Sequence, residues 1–129
     1  MFSLLVVLLP FISASPVELE TRDRATTPAG WKSYGCHFDC KAYTDCYDGM
    51  NRYLPHKAYS NDLNSPRKCT KACEKAGYKF AGVQFGKECW CGNELGGQLT
   101  DDKECFIQCP KAAKETCGGP CRNFIYGLA

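Results

Sequence analysis

The stretch CTKACEKAGYKFAGVQFGKECWC, residues 69 to 91, decides the fold. Cys69 and Cys73 stand four apart, and Cys89 and Cys91 two apart. A helix brings i and i+4 onto one face, and a strand brings i and i+2 onto one face. A short helix holding the first pair can therefore be riveted twice to a strand holding the second. The stretch reads as the centre of a disulfide-built binding scaffold.

Just upstream, Ser65 suits a helix N-cap and Pro66 the first helical position, while Gly77 supplies a left-handed stop. These signals bracket a helix of about three turns on which Cys69, Ala72, Cys73 and Ala76 share a face. Small residues there permit close approach to a sheet. Downstream, Phe80 to Phe85 and Glu88 to Cys91 predict two strands joined by a type II′ turn with Gly86-Lys87 at its centre. That register sets Phe85 opposite Glu88, Gln84 opposite Cys89, Val83 opposite Trp90 and Gly82 opposite Cys91. The cysteine face then carries Gly82, leaving room for the helix. The other face carries Ala81, Val83, Phe85, Glu88 and Trp90, an aromatic surface available to a ligand. Further on, the run from Gly92 to Pro120 predicts long turns pinned by Cys105, Cys109 and Cys117, and Arg122 to Tyr126 a closing strand.

The bulk properties fit this scaffold. A chain of 129 residues with 11 cysteines suits one small domain held by disulfides. Residues 1–14, apolar from Phe2 to Ile12 and ending in small residues, read as a signal peptide. Residues 15–30 are polar, contain two prolines and read as a flexible N-terminal arm, which places the domain at 31–129. The expectation is a secreted protein, extracellular or associated with a cell wall, where cysteines stay oxidised. Net charge is +2 with acids and bases interspersed. That balance is too even for electrostatics alone to hold a nucleic acid or an anionic membrane, so neither is expected as a partner and a neutral or weakly charged one is favoured.

From about Trp31 to Tyr126 the chain resembles the WSC domain, a cysteine-rich module of fungal cell-wall stress sensors and secreted proteins. The resemblance lies in Gly35-Cys36, Arg52-Tyr53-Leu54-Pro55, Cys69 and Cys73, Gly77-Tyr78, Ala81-Gly82-Val83 and above all Phe85-Gly86-Lys87-Glu88-Cys89-Trp90-Cys91-Gly92-Asn93. It continues through Cys105, Cys109-Pro110 and Thr116-Cys117-Gly118-Gly119. It implies an α+β fold, a compact antiparallel sheet crossed by one short helix, of the PAN/apple type. It also implies the pairs Cys36–Cys105, Cys69–Cys89, Cys73–Cys91 and Cys109–Cys117, each worth roughly 3 kcal/mol in the chain-entropy view. The function it implies is binding of polysaccharide, often cell-wall β-glucan. Cys40, Cys46 and Cys121 fall outside the pattern. If the first and last strands pair antiparallel, Cys40 lies near Cys121, which favours that bridge over a local Cys40–Cys46 loop and leaves one thiol over.

Sugar binding needs a flat aromatic face for the apolar side of a pyranose ring, plus polar groups for its hydroxyls. Trp90, Phe85 and Tyr78 offer faces, and Gln84, Glu88, Asn93 and Lys87 polar edges. The competing role for Trp90 and Phe85 is core packing, and for Asn93 the shaping of a turn. Trp31, Tyr34, Tyr43, Tyr47 and Tyr53 form a second aromatic group, read as local packing. No metal site or other cofactor is expected, because thiolate ligands need reducing conditions, and His37 and His56 read as surface residues. Catalysis is not expected either: Asp101-Asp102 is an adjacent pair on a turn, and Glu88 has no partner acid. The sequence therefore points to a non-catalytic carbohydrate-binding protein. The alternative is a secreted effector or inhibitor that contacts a protein partner through the segment from Tyr43 to Tyr47.

Overall fold

The computed structural model describes residues 27–39 and 52–129. Five antiparallel strands form the main sheet in the order β1-β7-β3-β4-β2: β1 Trp31–Phe38, β2 His56–Ser60, β3 Phe80–Gln84, β4 Glu88–Gly92 and β7 Arg122–Leu128. A second, two-stranded ribbon joins β5 Gln108–Cys109 to β6 Ala112–Thr116, where the sequence suggested only turns. One helix, α1, Pro66–Lys75, crosses the main sheet and packs on β3 and β4. The fold is the small disulfide-rich α+β domain that the sequence implied.

The helix begins and ends where its sequence signals lie. Ser65 is the N-cap, its hydroxyl accepting from the Lys68 amide at 3.1 Å, and Pro66 occupies the first turn, where a missing N–H costs nothing. Gly77, at φ +91°, takes the left-handed conformation that ends the helix. Cys69 and Cys73 are buried under the helix, while Ala72 is half-buried and Ala76 exposed, so the cysteines carry the contact.

Four bridges join Cys36 to Cys105, Cys69 to Cys89, Cys73 to Cys91 and Cys109 to Cys117. Cys121 is also disulfide-bonded. The expected Cys40–Cys121 pairing involves a residue outside those described. The condition behind it does hold: β1 and β7 pair antiparallel, and the Asp39 amide donates to the Cys121 carbonyl at 3.2 Å.

The hairpin register differs from the expected one by a single residue. Gln84 pairs with Glu88, Val83 with Cys89, Gly82 with Trp90 and Ala81 with Cys91. The connection is not a two-residue II′ turn but the three residues Phe85-Gly86-Lys87, with Phe85 and Gly86 both left-handed at φ +53° and +86°. Since side chains alternate along a strand, a one-residue slip moves each to the opposite face. Ala81 and Val83 therefore join Cys89 and Cys91 beneath the helix, in a core that includes Cys69, Cys73, Trp31 and Tyr126. Gly82 lies on the other face, with Trp90, Leu54 and Ile125, against which Tyr34 and Phe80 pack.

Gly82 is small because that second face is tightly covered. A β-carbon there would stand 2.7 Å from Leu54 Cδ1 and 2.8 Å from the Asn123 carboxamide. Overpacking of this kind typically costs about 1–3 kcal/mol. Gly82→Ala should lower stability by that amount in denaturant titration, with disulfides intact.

Candidate functional site

The second face of the sheet is closed rather than open to a ligand. Trp90 is only 4% exposed. The Arg52 guanidinium lies 3.7 Å from its ring centroid, the Lys57 ammonium 5.2 Å away, and its indole N–H donates to Glu88 Oε1 at 2.9 Å. Gln84 is buried as well, and its Oε1 accepts from Arg52 at 3.3 Å. The open platform expected of Trp90 and Gln84 is thus replaced by a packed layer. The cause is the Arg52-Tyr53-Leu54-Pro55 segment: Trp90 lies on the expected sheet face, away from the cysteines, but Leu54 and Arg52 pack against it, and the register brings Gln84 to the same face.

Arg52 in turn forms a buried ion pair with Asp39, whose carboxylate also faces the Leu54 amide and the Asn123 side chain. Burial pushes the Asp39 carboxyl up to about 6, against the opposing pull of Arg52. The sequence named Arg52 only within the Arg52-Tyr53-Leu54-Pro55 stretch that carries the resemblance, and gave Asp39 no role. The one available signal was that stretch itself, which sets Arg52 two residues from an apolar Leu54.

The other expected site residues separate into two groups. Tyr78 is half-buried and stacks on the exposed His56 ring, centroids 4.9 Å apart and planes at 19°. Asn93 is exposed nearby in the fold, and its Oδ1 accepts from the Lys79 amide at 3.1 Å, the turn-shaping role. Glu88 is half-buried and engaged by Trp90. Phe85 stands apart, 57% exposed at the tip of the hairpin.

That tip is a built feature. Asn64, fully buried, donates to the carbonyls of Gly86 at 3.0 Å and Glu88 at 3.2 Å, and it accepts from the Tyr59 hydroxyl at 2.6 Å. Burial pushes the Tyr59 hydroxyl well above its ordinary pKa. The Gly86 amide donates to Cys117, and Ile107 exchanges hydrogen bonds with Cys117 and Gly118. These contacts bring the loops holding Leu63 and Phe106 to the hairpin tip. Leu63 is 53% and Phe106 67% exposed, and an ion pair of 3.2 Å joins Lys87 to Asp62 beside them. Phe85 and Phe106 are the only Phe, Tyr or Trp side chains in the exposed class among the described residues. Phe106 and Leu63 escaped sequence reasoning because neither sits in a periodic element.

The remaining candidates have structural roles. Asp101 caps a short 3-10 turn by accepting from Lys103, and Asp102 accepts from the Cys36 amide at 3.2 Å. His37 is buried, not on the surface as expected, with its ring nitrogens against the carbonyls of Gly97 and Tyr34 at 3.2 and 3.0 Å. The sulfurs of Cys69, Cys73 and Cys89 lie within 4.8 Å of one another. Each is committed to a bridge, and an oxidised sulfur is not the thiolate a metal requires.

The stapled sheet and its crossing helix define a small disulfide-rich α+β module. Residues 43–119 match the WSC domain, and the chain belongs to that family. It is 36% identical over 100 residues to the xylosyltransferase oxt of Drosophila melanogaster, covering 74% of this chain and 11% of that protein. It is 31% identical over 104 residues to a WSC domain-containing protein of Arthroderma benhamiae, covering 77% of this chain and 10% of that protein. With xylosyltransferase sqv-6 of Caenorhabditis elegans it shares 42% identity over 60 residues, 43% of this chain and 7% of that protein. The chain spans about a tenth of the length of the first of these relatives. The xylosyltransferases match only over the shared module, which is non-catalytic and of a carbohydrate-binding family. No helix among the described residues is long and apolar enough to cross a membrane.

Two outcomes follow for the closed face. Trp90→Ala should destabilise by about 3–5 kcal/mol, as a large core truncation does, measured by chemical denaturation. Asp39, raised in the fold above its ordinary 3.8, favours folding while protonated. Its contribution is therefore present in acid and lost as pH rises from about 4 through about 6. Asp39→Asn should remove that component, so the stability gap between wild type and variant changes across this window. An unchanged gap would place the Asp39 carboxyl outside it.

Proposed function

We propose that the chain is a secreted carbohydrate-binding module that recognises a cell-wall polysaccharide such as β-glucan, with the hairpin tip as its contact surface. The observation that carries this reading is the conformation of Phe85. A bulky residue in the left-handed region is strained, and such strain persists mainly where function uses it. Here it holds an aromatic ring out in solvent, and a second exposed ring, Phe106, precedes Ile107, which is hydrogen-bonded to the Cys117-Gly118 segment that the tip also meets. Two aromatic faces on one rigid end supply the stacking that pyranose rings need, and Lys87, Asp62 and Gln108 supply polar edges. Tyr78 and Asn93, with His56, lie apart from the tip and serve as a secondary candidate. A site this shallow gains little energy per sugar, so retention on a wall draws on repeated units of the polymer.

The exposed Leu63, Phe85 and Phe106, with the Lys87–Asp62 ion pair, also suit a protein partner. Pull-down on insoluble β-glucan, chitin and cellulose separates the two readings. Wild type is retained on at least one of them; retention on none contradicts the glycan reading. Phe106→Ala weakens retention by about two- to tenfold, the value of one aromatic contact. Phe85→Gly weakens it similarly while leaving stability unchanged or raised by up to about 1 kcal/mol, because glycine relieves the left-handed backbone.

A further inference from the structure

Over the whole chain the charge is nearly balanced, at +2, yet its placement is not. Between Arg67 and Lys79 stand five cations, Arg67, Lys68, Lys71, Lys75 and Lys79, and one acid, Glu74. Arg67, Lys71 and Lys75 recur every four residues along α1, so they share the face turned away from the buried Pro66, Cys69, Thr70 and Cys73. All three are exposed, as is Lys79 just past the helix. At a rise of 1.5 Å per residue, the ridge from Arg67 to Lys75 runs about 12 Å. The ion pairs among the described residues, Arg52–Asp39, Lys87–Asp62 and Arg122–Glu104, use none of these cations. Lys68 lies over the Tyr59 ring, and the half-buried Glu115 is the acid that senses Arg67.

Helix stability does not explain this arrangement. Cations four residues apart repel one another. Arg67 and Lys68 occupy the first turn, which contains no acid, at the end where the helix dipole favours anions. An outer helix face needs polarity, and a mixture of Glu and Lys would supply it without repulsion. The double disulfide lets this helix carry a charge pattern that an isolated helix would not tolerate well.

We propose that the outer ridge of α1 is a binding site for a linear anionic polysaccharide, one bearing sulfate or carboxylate groups, distinct from the aromatic tip. The choice of a glycan among polyanions rests on the reading of the chain as a carbohydrate-binding module. The ridge itself disfavours the other partners. From Pro66 to Lys79 it has no exposed large apolar side chain to enter a bilayer. It also has no exposed aromatic on which bases would stack, Tyr78 being half-buried against His56. The ridge starts beside the tip, since Asn64, next to the helix cap, donates to the Gly86 carbonyl.

The test titrates the oxidised full chain and the variant Arg67→Gln/Lys71→Gln/Lys75→Gln with heparin and with soluble β-glucan over a range of salt. Vesicles containing phosphatidylserine and a DNA duplex serve as competing polyanions. Wild type binds heparin with an affinity that falls as a power of salt concentration. The variant binds at least tenfold more weakly, and its salt slope is lower by about two, given roughly 0.7–0.9 per cation released from a polyanion. Its β-glucan binding is unchanged, and its melting temperature is unchanged or higher because repulsion has been removed. Equal heparin binding by variant and wild type, or none by wild type while β-glucan still binds, overturns the ridge and leaves the glycan reading standing. Loss of binding to both glycans overturns both. Tighter binding to the vesicles or the duplex than to heparin overturns the choice of ligand.

Discussion

Two disulfides between one helix and one strand set everything else in this molecule. Cys69–Cys89 and Cys73–Cys91 hold α1 against β4 at two points a helical turn apart, so the helix can neither slide nor rotate. With the helix fixed, Ala81 and Val83 of β3 are pressed beneath it, and the cysteine-bearing face of the sheet becomes core. A chain this small has little apolar surface to bury, and cross-links that restrict the unfolded state compensate for that. The same constraint frees the outer surface of the helix from a stabilising role, which is how it can hold a row of like charges.

The helix was legible in the sequence because its signals are local. Ser65, Pro66 and Gly77 act through backbone chemistry within a turn of themselves, and the structure uses each of them in that way. The pairing of helix and strand cysteines was legible because two periodicities met in one short stretch. The hairpin register was not, because it depends on whether Phe85 ends a strand or enters the turn. Local rules forbid a left-handed phenylalanine and so favour the two-residue connection. Asn64 overrides them by binding the Gly86 and Glu88 carbonyls from outside the hairpin.

That single residue of slip accounts for where Gln84 and Phe85 lie, and the covering Arg52-Leu54 segment accounts for Trp90. Gln84 moves from the cysteine face to the Trp90 face, while Trp90 keeps its expected face and is closed off by Leu54 and by Arg52, which meets both the indole ring and the Gln84 carboxamide. Phe85 moves from a strand position to an exposed tip. Phe106 and Leu63 join it through loops with no periodic pattern, so no reading of the chain in one dimension could gather them. The tip and the ridge are both places where local physics is violated, by a strained backbone in one and by like charges four residues apart in the other, and such violations tend to mark function.

Disulfide mapping of the oxidised protein tests the central constraint most directly. Proteolysis without reduction, followed by mass spectrometry, should recover peptides in which the Cys69–Cys73 segment is cross-linked to the Cys89–Cys91 segment. Partial reduction or cleavage between the cysteines should resolve them as Cys69–Cys89 and Cys73–Cys91. Peptides showing Cys69 joined to Cys73, or either one joined outside the Cys89–Cys91 segment, would contradict the account.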